Sequence, residues 1–265
     1  MPCPGGRPRV SRPVARVFVL TGAGISAESG LGTFRDPGGL WRRFDPMRLA
    51  TPEAFAREPE EVHAFYNLRR QGVREAAPNA AHAALARLEV GLAARGGGLF
   101  LCTQNVDDLH ERAGSRSVVH MHGELMRVRC TACGAAAPWA EDLGLDTACP
   151  ACGRRGGMRP DVVWFGEVPL HLDAIGDALA AADLFVAIGT SGAVYPAAGF
   201  VAQARAAGIP TREINLAPSD TAGLFDEATY GPATRAVPDF VAELLDEDLP
   251  GRDGPGRDRH GGREA

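Results

Sequence analysis

ARVFVLTGAGISA, residues 15–27, is the stretch on which the reading of the fold turns. Val17 to Leu20 is a short, unbroken apolar run that passes at once into Gly22 and Gly24. A run of that length, bounded by glycine, reads as a strand buried on both faces. The same logic applies to LFLCT (99–103), SVVHM (117–121), DVVWF (161–165), DLFVAIGT (183–190) and TREIN (211–215). Helical patterns lie between them at 79–90, 106–113, 170–182, 196–207 and 238–246. Continuous apolar strands alternating with helices predict an α/β fold with a Rossmann-like, doubly wound parallel sheet. Ligands of such a sheet bind at the carboxyl ends of its strands.

Two segments break the alternation. Residues 45–77 read as helical with no strand between, and Thr51-Pro52-Glu53 looks like an N-cap followed by proline at the first helical position. Residues 127–157 carry cysteines and little hydrophobic periodicity. Both are expected to form a small helical and zinc-binding domain. The large Rossmann-like domain is then expected over 14–44, 78–126 and 158–248, with flexible Pro-, Gly- and Arg-rich tails at 1–13 and 249–265.

Composition narrows the function. The formal net charge of -5 and pI near 5.8 argue against nucleic acid as the main ligand. All 28 basic residues are arginine, so mechanisms built on a Walker-A, kinase or Schiff-base lysine are excluded. No apolar run reaches the ~18 residues of a membrane span, and residues 1–16 lack the apolar centre of a secretory signal. A cytoplasmic protein without membrane contact, most simply a monomer, is the expectation.

Four of the six cysteines form two Cys-x-x-Cys pairs, Cys130/Cys133 and Cys149/Cys152, with fifteen residues between the pairs. In a chain without a signal sequence this spacing points to tetrahedral thiolate zinc before disulfides. Gly134 and Gly153 follow each pair and supply the tight turns. Four protein ligands leave no open coordination position, so the zinc is expected to be structural.

Gly22-Ala23-Gly24-Ile25-Ser26-Ala27 fits G-x-G-x-x-A, placed after a strand and read as opening a helix. Such a turn lets a pyrophosphate approach the backbone, although glycine-rich turns also serve packing. The acidic residue that an ordinary dinucleotide fold places ~20 residues on is missing. The chain runs instead through Thr33-Phe34-Arg35-Asp36 to Gly38-Gly39-Leu40-Trp41.

Four segments together carry a specific resemblance: GAGISAESGLGTFRD (22–36), TQNVDDLHERAG (103–114), HMHGEL (120–125) and AIGTSGAVYPAAGF (187–200). In order and spacing, with the cysteine pairs between the third and fourth, the chain resembles the sirtuin family of NAD-dependent protein deacylases over residues 14–248. The resemblance implies an active site in the cleft between the two domains, and it implies roles by position. Gly22, Ala23 and Gly24 would line the pyrophosphate, with Ser26, Ala27 and Glu28 beside them. Phe34 and Arg35 would belong to the flexible cofactor loop, with Trp41 at its far end. Gln104, Asn105, Val106 and Asp107 would hold the nicotinamide and its ribose, Asn105 with a catalytic part. Gly189, Thr190, Ser191, Asn215, Leu216, Ala217 and Ala233 would form the adenosine side.

In that family the acyl oxygen of a substrate lysine displaces nicotinamide from the ribose, and a base then serves a ribose hydroxyl. His122 matches the catalytic histidine, and neutral imidazole suits that task near pH 7. His120 would point to the other side of an extended segment, and His63, His82, His110, His171 and His260 read as packed or exposed side chains. Asp107 and Asp108 open the helix predicted over 106–113, where capping is the plain reading, but for Asp107 the resemblance favours the cofactor role. Phe165-Gly166-Glu167 and Gly192-Ala193-Val194 resemble the two strand edges between which the family clamps a peptide. Tyr66 and Arg69, three apart on a helix that also offers Val62, Phe65 and Val73 to a core, could bind a carboxylate through a phenol and a guanidinium. Sirtuins active on succinyl- and malonyl-lysine carry this pair, and Ala50 sits where they keep a small residue. The resemblance therefore implies deacetylase, desuccinylase and demalonylase activity on acyl-lysine proteins, with nicotinamide and O-acyl-ADP-ribose as products. Two positions depart from the family pattern. Gly32 stands where proline is usual, and Ala217 where glutamate is common. The alternatives are an NAD(P)-dependent oxidoreductase, a zinc-ribbon binding module, and a mono-ADP-ribosyltransferase using the same cofactor bond; nicotinamide release without NADH separates the first.

Overall fold

The apolar run of the opening motif is a central strand, β1 (Arg16–Thr21), in a computed structural model that describes residues 14–32 and 46–246. Its side chains alternate between two cores. Val17 and Val19 face one cluster with Leu85, Leu88 and Val241, while Phe18 and Leu20 face another with Leu179, Phe200 and Val201. A strand buried on both faces must be apolar at every position, which is why the run is unbroken.

β2 (Gly98–Thr103) and β3 (Val118–His120) extend the sheet on one side of β1. β7 (Leu184–Ile188), β8 (Thr211–Asn215) and β9 (Glu227–Tyr230) extend it on the other. The order is β3-β2-β1-β7-β8-β9 and every pairing is parallel. The chain moves outward in both directions from the β1/β7 pair, so the crevice at their carboxyl ends is the switch point. Helices α4 (Ala80–Ala93) and α8 (Ala233–Asp246) cover one face. Helices α6 (Leu172–Ala180) and α7 (Phe200–Ala206) cover the other.

The interrupting segments form the remainder. Residues 46–75 fold into α1 (Pro46–Leu49), α2 (Pro52–Arg57) and α3 (Pro59–Glu75). Thr51 caps α2 as its sequence predicts: its Oγ1 accepts from the Ala54 amide at 3.0 Å, and Pro52 lies at the first position. Val62, Phe65, Tyr66 and Val73 of α3 pack with Leu125, Val162 and Trp164. Around the cysteines, β4 (Gly123–Cys130), β5 (Ala136–Pro138) and β6 (Met158–Val162) make an antiparallel sheet of order β5-β4-β6.

Several expectations need correction. DVVWF is not a strand of the large sheet. Its start belongs to β6 and its end is a connector, with the Val163 amide on the His122 carbonyl and the Phe165 amide on the Ala50 carbonyl. It is apolar because Val162 and Trp164 face the small helical core, a burial that periodicity cannot distinguish from a parallel strand. The glycine motif opens no α-helix but two 3-10 turns, Ala23–Ile25 and Ala27–Ser29. Within 106–113 only α5 (Leu109–Arg112) is helical. The cysteine segment is more ordered than its sequence suggests, and β9, exposed along its length, gave no apolar signal. The last helix starts at Ala233, not residue 238, and runs through Pro238, because Val237, Phe240, Val241 and Leu244 all reach the core.

Candidate functional site

At the switch point the first turn of the glycine motif is pressed against the end of β7. The Gly22 amide donates to the Ile188 carbonyl at 3.0 Å and the Gly24 amide to the Gly189 carbonyl at 2.8 Å. A Cβ on Gly22 would lie 2.8 Å from the Gly189 oxygen, and one on Gly24 2.7 Å from the Gly189 Cα. Gly189 has φ +62° and would meet the Ile25 nitrogen at 2.5 Å. These glycines are thus required by packing of two backbones, whatever else the turn does.

The crevice beside them widens into a cleft of about 940 Å³, within the range of small-molecule and cofactor sites. Its walls bring together most of the residues singled out in the sequence. The β1 side supplies Gly22, Ala23, Gly24, Ser26, Ala27 and Glu28. The end of β2 supplies Gln104, Asn105, Val106 and Asp107, with His122 beside them. The β7 and β8 ends supply Gly189, Thr190, Ser191, Asn215, Leu216 and Ala217, and Ala233 comes from the start of α8. Ala50, Tyr66, Arg69, Phe165, Gly166, Glu167 and Val194 line the end toward the small helical module. Phe34, Arg35 and Trp41 lie outside the described residues.

Polar contacts fix the inner wall. Asn105 Nδ2 donates to the Gly22 carbonyl and to Ser26 Oγ, both at 3.2 Å. With its amide hydrogens committed there, Asn105 keeps only its oxygen for a ligand. Ser26 Oγ donates to Asp107 Oδ2 at 3.2 Å, and Asp107 Oδ1 accepts from the Leu109 amide at 3.2 Å, while Asp108, the N-cap residue of α5, makes no side-chain capping bond. Burial pushes the Asp107 carboxyl above its ordinary range, against those two donors. His122 Nδ1 faces the Gln104 carbonyl at 3.1 Å. A carbonyl only accepts, so Nδ1 carries the proton and Nε2 holds the lone pair. Burial lowers the pKa of His122, opposed by that hydrogen bond. His120 takes the neighbouring carbonyl, that of Asn105, at 3.2 Å and sets Nε2 2.7 Å from Glu111.

On the outer wall, Asn215 Nδ2 donates to the Thr190 carbonyl at 2.8 Å. Glu28 accepts from the Thr234 amide at 2.9 Å and the Thr234 hydroxyl at 2.6 Å, tying the glycine turn to α8. Toward the helical module, Tyr66 is 2% exposed, and the Arg69 guanidinium lies 5.5 Å from its ring centroid. Burial lowers the Arg69 pKa, with Tyr66 and Asp107 opposing; a guanidinium remains charged even so.

Two histidines read from the sequence as packed or exposed side chains, His82 and His110, lie packed beneath this wall. His82 is buried, with Nε2 3.4 Å from Ser26 Oγ and Nδ1 accepting from the Asn79 amide at 3.3 Å. His110 Nε2 lies 3.1 Å from Thr21 Oγ1, which donates to Thr103 Oγ1 at 2.8 Å. They pack ring to ring at 4.9 Å. Their spacing in sequence carried no signal, since α4 and α5 meet only in the fold. Leu125, Trp164, Pro169 and Tyr195 also line the cleft unannounced.

The four cysteine sulfurs lie within 4.8 Å of one another, with Cys130–Cys152 and Cys133–Cys149 both at 3.8 Å. A tetrahedron of ~2.3 Å Zn–S bonds has edges of ~3.8 Å. Backbone N–H groups of Cys133 and Ala132 lower the Cys130 thiol pKa to about 7, and those of Cys152 and Ala151 lower that of Cys149. These effects favour thiolate at Cys130 and Cys149, while the neighbouring sulfurs push the Cys133 thiol up to about 11, and the donor set of four sulfurs fits structural zinc.

Comparison with known proteins agrees with this geometry. Residues 22–196 match the model of the Sir2 family. The NAD-dependent protein deacylase of Caulobacter vibrioides is 64% identical over 234 residues, covering 88% of this chain and 98% of that protein. That of Escherichia coli K12 is 53% identical over 232 residues, covering 87% and 82%. A Sir2 homologue solved as an ADP-ribose complex superposes with TM-score 0.81 at 40% identity, covering 88% of this chain and 93% of that one. A Sir2 homologue–NAD complex gives TM-score 0.78 at 39% identity, covering 88% and 91%. With its switch-point cleft shaped for NAD and its four thiolates set for structural zinc, the chain belongs to the Sir2 family of NAD-dependent protein deacylases.

Proposed function

We propose that this enzyme removes succinyl and malonyl groups, as well as acetyl groups, from protein lysines in the cytoplasm, releasing nicotinamide and the O-acyl-ADP-ribose. One observation carries the acidic-acyl reading: a half-buried guanidinium, Arg69, and a buried phenol, Tyr66, share one cleft with His122 and the small residue Ala50. A planar guanidinium accommodates a carboxylate bidentately, and the phenol adds a directional donor. Ala50 leaves room that a larger side chain would fill.

When bound, NAD supplies a ribose carbon from which nicotinamide can depart. The residues around it divide the remaining tasks. Asn105 offers its amide oxygen to orient a hydroxyl or water, because its nitrogen is held by Gly22 and Ser26. His122 Nε2 accepts a proton from the ribose hydroxyl, its ring oriented by the Gln104 carbonyl. Gly22, Ala23, Gly24 and Ser26 hold the pyrophosphate, and Asn215 with Thr190 and Ser191 the adenosine. Phe165 to Glu167 and Val194 hold the peptide backbone on either side, so sequence preference is loose.

The experiment is NAD with acetyl- and succinyl-lysine peptides, followed by mass spectrometry of peptide and cofactor. A charge-assisted contact is worth ~1.5–3 kcal/mol, so Arg69→Met lowers kcat/KM for desuccinylation roughly ten- to a hundredfold. Deacetylation falls much less, because acetyl has no carboxylate to pair. The reading is lost if both activities fall equally, or if the wild type ignores succinyl-lysine.

A further inference from the structure

The Tyr66 phenol is held from behind. Trp164 Nε1–H donates to its oxygen at 2.9 Å. Trp164 is itself 2% exposed and fixed on every side. The Arg159 guanidinium lies 3.3 Å from its ring centroid, and Phe55 packs at 5.3 Å. Its amide donates to Glu167 Oε2 at 2.8 Å, and the two Glu167 oxygens accept from Arg159 at 2.7 and 2.9 Å. The Arg69 guanidinium lies 5.5 Å from the Tyr66 ring centroid, and a guanidinium can only donate.

A phenol oxygen has two acceptor positions and one proton. With the Trp164 N–H on one acceptor position and the Arg69 cation beside the ring, the proton is what Tyr66 has left to offer. An indole in place of a phenyl ring at residue 164 therefore decides the polarity of the pocket wall. Without that N–H, the phenol could turn its lone pair toward the cleft and repel an incoming carboxylate.

We infer that Trp164 is a specificity-determining positioning residue, which turns the Tyr66 hydroxyl into a donor for the distal carboxylate of an acidic acyl group. This rests on the acidic-acyl reading above. Trp164 touches no reacting atom and acts through Tyr66.

The test compares desuccinylation with deacetylation in Trp164→Phe, Tyr66→Phe and the double variant. Phenylalanine keeps a ring under Arg159 but has no N–H. Loss of one neutral hydrogen bond predicts that the succinyl-to-acetyl ratio of kcat/KM falls about fivefold, through KM for the succinyl peptide. In the Tyr66→Phe background the second substitution changes the ratio no further, an outcome that general loosening of the core would not produce. An unchanged ratio in Trp164→Phe, or an equal further loss in the double variant, overturns the inference while leaving the acidic-acyl reading intact. Should Tyr66→Phe and Arg69→Met both leave the ratio untouched, the acidic-acyl reading fails and takes this inference with it. If Trp164→Phe does not fold, the Trp164 indole resonance of ¹⁵N-labelled enzyme reads the same bond. It moves upfield in Tyr66→Phe and responds to succinyl-lysine peptide more than to acetyl-lysine peptide. No movement in Tyr66→Phe overturns the inference.

Discussion

His122 and His120 stand two residues apart, hold adjacent carbonyls, and are driven in opposite directions. Burial disfavours the charged form of both. For His122 that influence prevails and its pKa falls below the ordinary 6.5. For His120 the Glu111 carboxylate at 2.7 Å outweighs burial and its pKa rises. A base must be neutral to accept a proton, so in its proposed role His122 stays competent under mildly acid conditions where a solvent-exposed imidazole is charged. The acid limb of kcat/KM is therefore expected below pH 6.5. His122→Ala is expected to abolish product formation while NAD binding, followed by calorimetry, survives. Near-normal turnover in that variant would remove His122 from the role of base.

At the level of elements, the cysteine module shows why a metal is needed. Its buried cluster comprises Val128, Cys130, Leu143, Cys149 and Met158, and two of these five are zinc ligands. So small a core supplies little folding free energy, and metal binding at such sites is folding free energy. The ligand turns are set by glycine: Gly134 with φ +74° returns its amide to the Cys130 carbonyl at 2.9 Å, and Gly153 with φ +73° does so to Cys149 at 2.8 Å. Cys149→Ala is expected to lose the zinc, about one per chain by atomic emission, together with soluble yield. A folded, metal-free Cys149→Ala protein would show that the strands hold without it.

Across the whole molecule, buried neutral imidazoles link stability to pH. His63, His82 and His110 are all pushed below 6.5 by burial, His82 to about 4. Above pH 6.5 they are uncharged in both folded and unfolded chains and contribute no pH dependence. Below it the unfolded chain takes up protons that the folded one refuses, so stability falls as pH drops from 6.5 toward 4. His120 acts in the opposite sense, since its raised pKa stabilises the fold at low pH and that contribution fades as pH rises. His63 packs edge-on against Phe55, and neither ring nitrogen has a hydrogen-bond partner among the described residues. His63→Leu removes one acid-sensitive group without orphaning a partner. Its Tm should gain more at pH 5 than at pH 7.5, measured by calorimetry. An equal change at both would show that His63 does not titrate with unfolding.

Much was legible in the amino-acid sequence because the relevant forces are local. β1, β2, β7 and β8 declared themselves through short runs that must be apolar when both faces are covered. The Cys-x-x-Cys spacing fixed the zinc ligands, since four thiolates within reach of one ion need those turns. The motifs proposed to carry the catalysis lie at strand ends, where a parallel sheet gathers its ligands. The tertiary structure alone decided what depends on elements distant in sequence. It placed DVVWF against the helical core instead of in the large sheet, because apolarity records burial and not the partner that provides it. It set His82 and His110 together beneath the cofactor wall, and it required Gly22 and Gly24 for their approach to Gly189. It also put Trp164 behind Tyr66, 98 residues apart in the chain. A hydrogen bond across that separation leaves no trace in spacing or periodicity, because its geometry exists only once both modules have packed.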